Sequence, residues 1–312
     1  MAALMPEQHV IPGATAWHAR RSHGRVWIAA GWRTETNECL ADAVRRRGIE
    51  AWVAEPRAVD AFARRGDVVL GRLDVRRTLD GVEDGLDHLE RLERRSIRVL
   101  NRPAALLRCH DKLQTALRLG RLGLPHPATV HLDHGAPLPR LEFPVVVKPR
   151  FGSWGSDVFR CTGAVPLAHC LHQLRKRPWF RRHGVLLQEV VPPVGVDLRI
   201  VVAGGRVVGA IERVAAPGRW RTNVARGGSR RRVDPPPHAR RLALAAAAAV
   251  EADLVGIDLL PLPDGSHVIL EVNGAVDFTT DYSPARGDVF DAAAAMIAAE
   301  ADADLDVAGA GR

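Results

Sequence analysis

The chain has 312 residues and a mass of 33.9 kDa, is 46% hydrophobic and 26% charged, and carries a formal charge of +8 with a pI of about 10.2. This composition excludes a wholly disordered chain, and the length predicts two or three domains. No apolar run approaches the ~20 residues of a membrane helix, no basic-then-apolar leader opens the chain, and Cys39, Cys109, Cys161 and Cys170 are scattered. A disulfide scaffold and a zinc ribbon are therefore not expected, and a reducing cytoplasm is. Of the 44 basic residues only Lys112, Lys148 and Lys176 are lysines. Much of the basicity is thus compositional, and the charge alone does not choose between nucleic acid and an acidic substrate. Where arginine is the default cation, a lysine marks a site suited to a compact ammonium.

Residues 1–23 read as a mobile lead-in. From Arg25 strands and helices alternate. RVWIAAG (25–31) is a strand, Glu38 to Arg47 a helix stopped by Gly48, and EAWVAEP (50–56) and DVVLGRLD (67–74) are strands. A charged helix from Asp84 to Arg95 completes a small α/β layer with an expected parallel sheet. RVLNRP (98–103) and a helix over 111–123 follow. The second half is α+β. PVVVKP (144–149) is a strand entering the Gly/Ser loop FGSWGSD (151–157), with a helix over 165–176 and the strand GVLLQEVV (184–191). The hairpin 198–214 turns at Gly204-Gly205, an Ala-rich helix spans His238 to Ala252, and the hairpin 256–273 turns at Pro263-Asp264-Gly265. A last helix covers 287–300, and 301–312 reads as a disordered tail. The division is an α/β domain over 24–100 and a second domain over 101–300, with subdomains at about 101–183 and 184–300.

Neither a GxxxxGK[ST] loop nor a GxGxxG turn is present. The Gly-rich segment instead follows a strand ending in Lys148. Backbone amides of such a loop can fold around phosphate, with the ammonium beside them, although an ordinary turn has the same composition. At the other end, Glu271 and Asn273 share a strand face, and the hairpin brings Asp258 alongside. Three oxygen donors there suit a magnesium site better than a strand end with solvated polar groups, because an unpaired carboxylate among such apolar runs would be costly. The third feature is IERVAAPGRWRTNVARGG (211–228), whose arginines suit phosphate or carboxylate. Its continuation RGGSRRR is the one hint of nucleic-acid binding, without interleaved aromatics. His131/His134 and His169/Cys170/His172 have metal-like spacing but read as surface residues.

These features, in this order, resemble the ATP-grasp superfamily, most closely RimK-type carboxylate–amine (alpha-L-glutamate) ligases, over about residues 98–300. The resemblance implies an ATP-grasp fold behind an N-terminal Rossmann-like pre-ATP-grasp domain. It implies that Lys112, in a DK pair, and Lys148 hold ATP phosphates beside the loop of Gly152, Ser153 and Gly155. It places Gln188, Glu189 and Val190 at the adenine hinge and Asp197 on the ribose side. Arg213, Arg221 and Asn223 become the phosphate- and substrate-facing group, with the two arginines catalytic. Asp258, Glu271 and Asn273 become ligands for magnesium, or manganese, as two ions. The partners implied are ATP, a carboxylate and an amine acceptor; a homo-oligomer stays open, and membrane and nucleic acid are not expected. Two departures lie near the substrates: EVNGAVDF replaces a small-Pro-Gly continuation, and VARGG replaces LHRGG. A ligase for another amino acid or peptide, and an arginine-rich nucleic-acid binder on a vestigial nucleotide fold, remain the alternatives.

Overall fold

The computed structural model of the chain describes residues 24–192, 195–217, 222 and 227–309, the last seven of these by backbone alone. The lead-in over 1–23 lies outside them. The N-terminal layer holds β1 (Val26–Ala30), α1 (Glu35–Arg46), β2 (Ala51–Ala54), α2 (Pro56–Phe62), β3 (Val68–Arg72), α3 (Leu86–Arg94) and β4 (Arg98–Leu100). Its strands run parallel in the order β2-β1-β3-β4. β1 and β3 are buried throughout, as expected of strands covered on both faces. Thr34 starts α1 by accepting a hydrogen bond from the Asn37 amide. The helix therefore begins three residues before the predicted Glu38.

Two connecting helices follow, α4 (Pro103–His110) and α5 (Lys112–Arg121), with Asp111 between them. Then come β5 (Thr129–Leu132), β6 (Val145–Pro149), β7 (Phe159–Cys161), α6 (Ala164–Leu174), α7 (Pro178–His183) and β8 (Val185–Glu189). Their strands form an antiparallel sheet in the order β5-β8-β6-β7. β8 thus sits in the centre of this sheet, whereas the sequence division at 184 assigned it to the following subdomain.

The last unit contains β9 (Val196–Ala203), β10 (Arg206–Val214), β11 (Ser229–Arg232), α8 (Pro237–Val250), β12 (Leu254–Pro261), β13 (His267–Asn273) and α9 (Val289–Gly309). The sheet order is β11-β10-β9-β12-β13, all antiparallel. Both predicted hairpins form. Gly204 and Gly205, with φ of 53° and 70°, make the first turn in a conformation that costs glycine little. α9 extends to Gly309, beyond the predicted end at 300, in keeping with the helix propensity of its alanines.

The cores are shared between units. One cluster joins Val26, Ile28 and Leu70 of the parallel sheet to Val201 and Ile211 of the five-stranded sheet through Phe290, Ile297 and Ala301 of α9. Asn101, just after β4, is fully buried. Its side-chain amide donates to the carbonyls of Leu254 and Gly274, and its oxygen accepts from the amides of Asp253 and Leu254. That one side chain ties the end of the parallel sheet to the start of β12 and the loop after β13.

Candidate active site

One cleft of about 410 Å³ opens where the three sheets meet. Lys112, Lys148, Gly152, Ser153, Gly155, Gln188, Glu189, Val190, Asp197, Arg213, Asp258, Glu271 and Asn273 all line it. Every predicted site residue within the described part of the chain is therefore brought to one place. Arg221 and Asn223 lie outside the described residues.

On the four-stranded sheet, Lys148, next to last in β6, is only 6% exposed and donates to Gln188 Oε1 on β8 at 2.8 Å. Gln188 in turn donates from Nε2 to Thr129 Oγ1 at 2.8 Å. The Gln188 side chain is thus committed to holding Lys148, which leaves Glu189 and Val190 at the cleft edge. Burial pulls the Lys148 ammonium down to about 8, Lys112 pushes the same way, and Glu271 opposes them. Lys112 reaches the glycine loop by donating to the Gly152 carbonyl at 2.6 Å and pairs with Glu271 at 2.7 Å.

On the five-stranded sheet, strand register builds a charged ladder. Arg230 on β11 opposes Arg213 on β10, and Arg213 opposes Asp197 on β9. Two residues on, Arg199 of β9 opposes Asp258 of β12, which opposes Glu271 of β13. All six side chains line the cleft. Arg213 grips Asp197 at 2.6 and 2.8 Å and reaches Asp258 at 2.8 Å. Arg199 takes both oxygens of Asp258 at 2.7 Å. Burial opposes the Asp258 charge, but the two guanidinium groups hold its carboxyl well below the usual range. Burial pushes Asp197 up, against the pull of Arg213 and the Thr222 hydroxyl. The ribose-side role expected of Asp197 therefore has a competitor in Arg213. For Glu271, burial raises the pKa and Lys112 more than offsets it, so the group stays low.

Arg199 and Tyr282 also line the cleft and were not singled out from the sequence, and Arg230 of the basic stretch RGGSRRR lines it too. Alternation on β9 was the available signal for Arg199, which lies two residues after Asp197 and so on the same face. Thr34, Glu35 and Asp74 bring the N-terminal layer to the cleft, and nothing in their local sequence marks them. His169 and His172 are exposed, and among the described residues no group of three His, Cys, Asp or Glu side chains could hold a metal. Any ion in the cleft would rest on the carboxylates of Asp258 and Glu271, the Asn273 amide and a ligand's own oxygens. That all-oxygen set suits a hard divalent cation. Asn273 keeps a buried amide nitrogen without a hydrogen-bond partner, although an ion would take the carbonyl oxygen of the same side chain. The residues present fit such an ion, which would share Glu271 with Lys112 and Asp258 with the two arginines.

A RimK-like ATP-grasp domain model matches residues 128–299. The chain belongs to the RimK-like ATP-grasp family. Relatives include human N-acetylaspartylglutamate synthase A, 35% identical over 203 residues, covering 62% of this chain and 49% of the human protein. The tetrahydromethanopterin:alpha-L-glutamate ligase of Methanosarcina acetivorans is 32% identical over 217 residues, covering 62% of this chain and 65% of its own length. The chain spans about half the length of the first curated relatives it matches. In fold, it is similar to an ATP complex of D-alanine–D-alanine ligase from Bacillus anthracis, with a TM-score of 0.67 and 16% identity over 92% of this chain and 100% of that one. An ATP-grasp RimK domain protein from Sphaerobacter thermophilus gives a TM-score of 0.62 at 20% identity, over 88% of this chain and 99% of that one. The ATP-grasp family fold expected from the sequence is thus the fold of this chain.

The buried Lys148 gives this RimK-like site a measurable pH response. An ammonium must be charged to meet phosphate, and burial brings the Lys148 pKa down to about 8. Bound phosphate would hold that proton on. Affinity for Mg-ADP is therefore expected to weaken about tenfold between pH 7 and pH 9, one pKa unit to either side. Calorimetry at the two pH values checks this, and a flat affinity would remove Lys148 from the phosphate site.

Proposed function

We propose that the protein is an ATP-dependent carboxylate–amine ligase, and that the amine it adds is glutamate or a similar amino acid. The observation that supports this best is the charged ladder across the five-stranded sheet, facing two lysines and a glycine loop across one cleft. That arrangement balances a polyanionic nucleotide on one side and offers arginines to a carboxylate on the other. The names of the relatives point to glutamate: they are a synthase of N-acetylaspartylglutamate, a glutamate ligase of tetrahydromethanopterin and a glutamate–LysW ligase from Sulfurisphaera tokodaii.

In this reading the base of ATP lies against Glu189 and Val190. Lys112, Lys148 and the amides around Gly152, Ser153 and Gly155 neutralise and orient the phosphates. A substrate carboxylate oxygen attacks the γ-phosphorus, ADP leaves, and an acylphosphate forms. The amine nitrogen then attacks the acyl carbon, phosphate departs with the bonding electron pair, and the amine proton is released to solvent. Arg213 and Arg199 face the charge that develops on the carbonyl oxygen, and the family resemblance gives Arg221 and Asn223 the same role. Magnesium or manganese, as the two ions the family implies, would be held by Asp258, Glu271 and Asn273 and would offset phosphate charge. Positioning and charge neutralisation then account for the catalysis, without a nucleophilic side chain.

The test is ADP release across a panel of carboxylates, with and without L-glutamate. Release that requires both and yields an amide is the expected result. Release that no carboxylate stimulates would overturn the reading. The arginine-rich alternative loses ground because Ser229–Arg232 folds as β11, with Arg230 at the cleft and Arg231 paired to Glu212, rather than as a free basic arm.

Arg230 also sharpens the expectation of an acidic substrate. Both Arg230 and Arg232 are exposed on β11, but only Arg230 lines the cleft. Charge steering is screened over about 8–10 Å at physiological ionic strength. kcat/KM for the best carboxylate should fall steeply with salt in the wild type. The slope should flatten in Arg230→Ser and stay steep in Arg232→Ser. Equal slopes in all three would mean that Arg230 does not recruit substrate.

A further inference from the structure

Arg150 follows the phosphate-facing strand directly, yet it does not line the cleft. Its guanidinium turns the other way and grips Asp111 with two bonds, Nε to Oδ1 at 2.7 Å and one terminal nitrogen to Oδ2 at 2.6 Å. Asp111 is nearly buried and already works as the cap of α5, accepting from the amides of Leu113 and Gln114. The backbones join beside this pair. The Lys112 amide donates to the Arg150 carbonyl at 3.1 Å, and Asp111 forms a lone antiparallel bridge with Phe151.

The two sides of this junction come from different elements. α5 packs mainly on α8 and β13, beside the five-stranded sheet, with a smaller contact to β5, whereas Arg150 continues β6 of the four-stranded sheet. Asp111 is followed at once by Lys112, and Arg150 comes two residues after Lys148. Lys112 and Lys148 lie close enough for the charge of one to depress the pKa of the other. Two like charges at that separation repel; Glu271 pairs with Lys112 and Gln188 holds Lys148, and the backbone beneath them sets their spacing. A bidentate arginine–carboxylate pair has the fixed planar geometry for such a task.

We propose that Arg150 is a positioning residue: through Asp111 it locks the strand bearing Lys148 to the helix bearing Lys112, and so sets the spacing at which the two ammonium groups receive nucleotide phosphates. This rests on the nucleotide reading above and adds a residue that touches neither nucleotide nor substrate. The clamp extends outward as well. Phe151 packs edge-on against His183 with ring centres 5.0 Å apart, and His183 Nε2 bonds the Asp80 carbonyl of the N-terminal layer at 2.9 Å.

The test uses the full chain, Mg-ADP as probe, calorimetry for affinity and thermal melting for stability. Arg150→Gln should weaken Mg-ADP binding about tenfold, the scale seen when a supporting contact behind a ligand is lost. Asp111→Asn should act similarly, since asparagine caps a helix as well as aspartate and only the ion pair is lost. The double variant should bind within about twofold of the weaker single variant, because both changes break the same pair. Arg150→Lys should recover part of the loss. Losses that multiply in the double variant would overturn the proposal, as would a lowered melting point with wild-type affinity in the folded protein. Failure of the wild type itself to bind Mg-ADP would instead overturn the nucleotide reading, and this proposal with it.

Discussion

Glu271→Gln is expected to lower turnover by at least about 100-fold while changing Mg-ADP affinity far less. Glutamine keeps the volume and an acceptor oxygen, so packing on β13 persists. What goes is one negative charge on the face shared by Asp258 and Asn273, opposite Lys112 at 2.7 Å. That charge is needed most when the γ-phosphoryl is in transit and charge shifts onto the leaving oxygen. Ground-state nucleotide binding leans more on the lysines and the glycine loop. The measurement is kcat against magnesium concentration beside the calorimetric Kd. Normal turnover of Glu271→Gln at low magnesium would leave Glu271 a structural partner of Lys112 and nothing more.

Lys148→Met should weaken Mg-ADP binding by about 100-fold or more. Losing one partner of a buried charged pair costs about 2–5 kcal/mol, and about 1.4 kcal/mol is a factor of ten. Methionine matches the stem of lysine in length and fills the space between β6 and β8. Gln188 Oε1 loses its donor, but Nε2 keeps Thr129. The free protein should melt no lower than the wild type, because the change also removes a buried ammonium whose charge folding disfavours. Affinity that stays within threefold of the wild type, in a protein that melts normally, would exclude Lys148 from the phosphate site.

How far the site was legible depended on whether a residue's neighbours are local or set by pairing. Lys148 before a Gly/Ser loop and Glu271 with Asn273 at i and i+2 are patterns within a few residues that could be read directly, while Lys112 came in through the DK pair of the family resemblance. The fold placed all of them in one cleft. Arg199 needed the register of β9 against β12, and Arg150 needed a partner 39 positions away. Thr34 and Asp74 needed the parallel sheet to be docked on the rest of the chain. The strands of that layer run parallel, and their order β2-β1-β3-β4 could not be read from alternation alone. The division at 184 erred because GVLLQEVV is a buried strand in either subdomain, and only its pairing with β5 and β6 decides its place.

The charged ladder also bears on how the chain finds its fold. Side chains on β9 alternate, with Asp197 and Arg199 at the cleft and Leu198 and Ile200 in the core beneath. A slip of one residue against β10 or β12 would send the two charges into that core and bring the two aliphatic groups into water. It would also set Asp197 and Arg199 away from Arg213 and Asp258, stranding four buried charges at once. Mispaired sheets are thus penalised most heavily at the very positions where ATP and its partner would meet. Correct pairing of these strands and assembly of the cleft are therefore one and the same requirement.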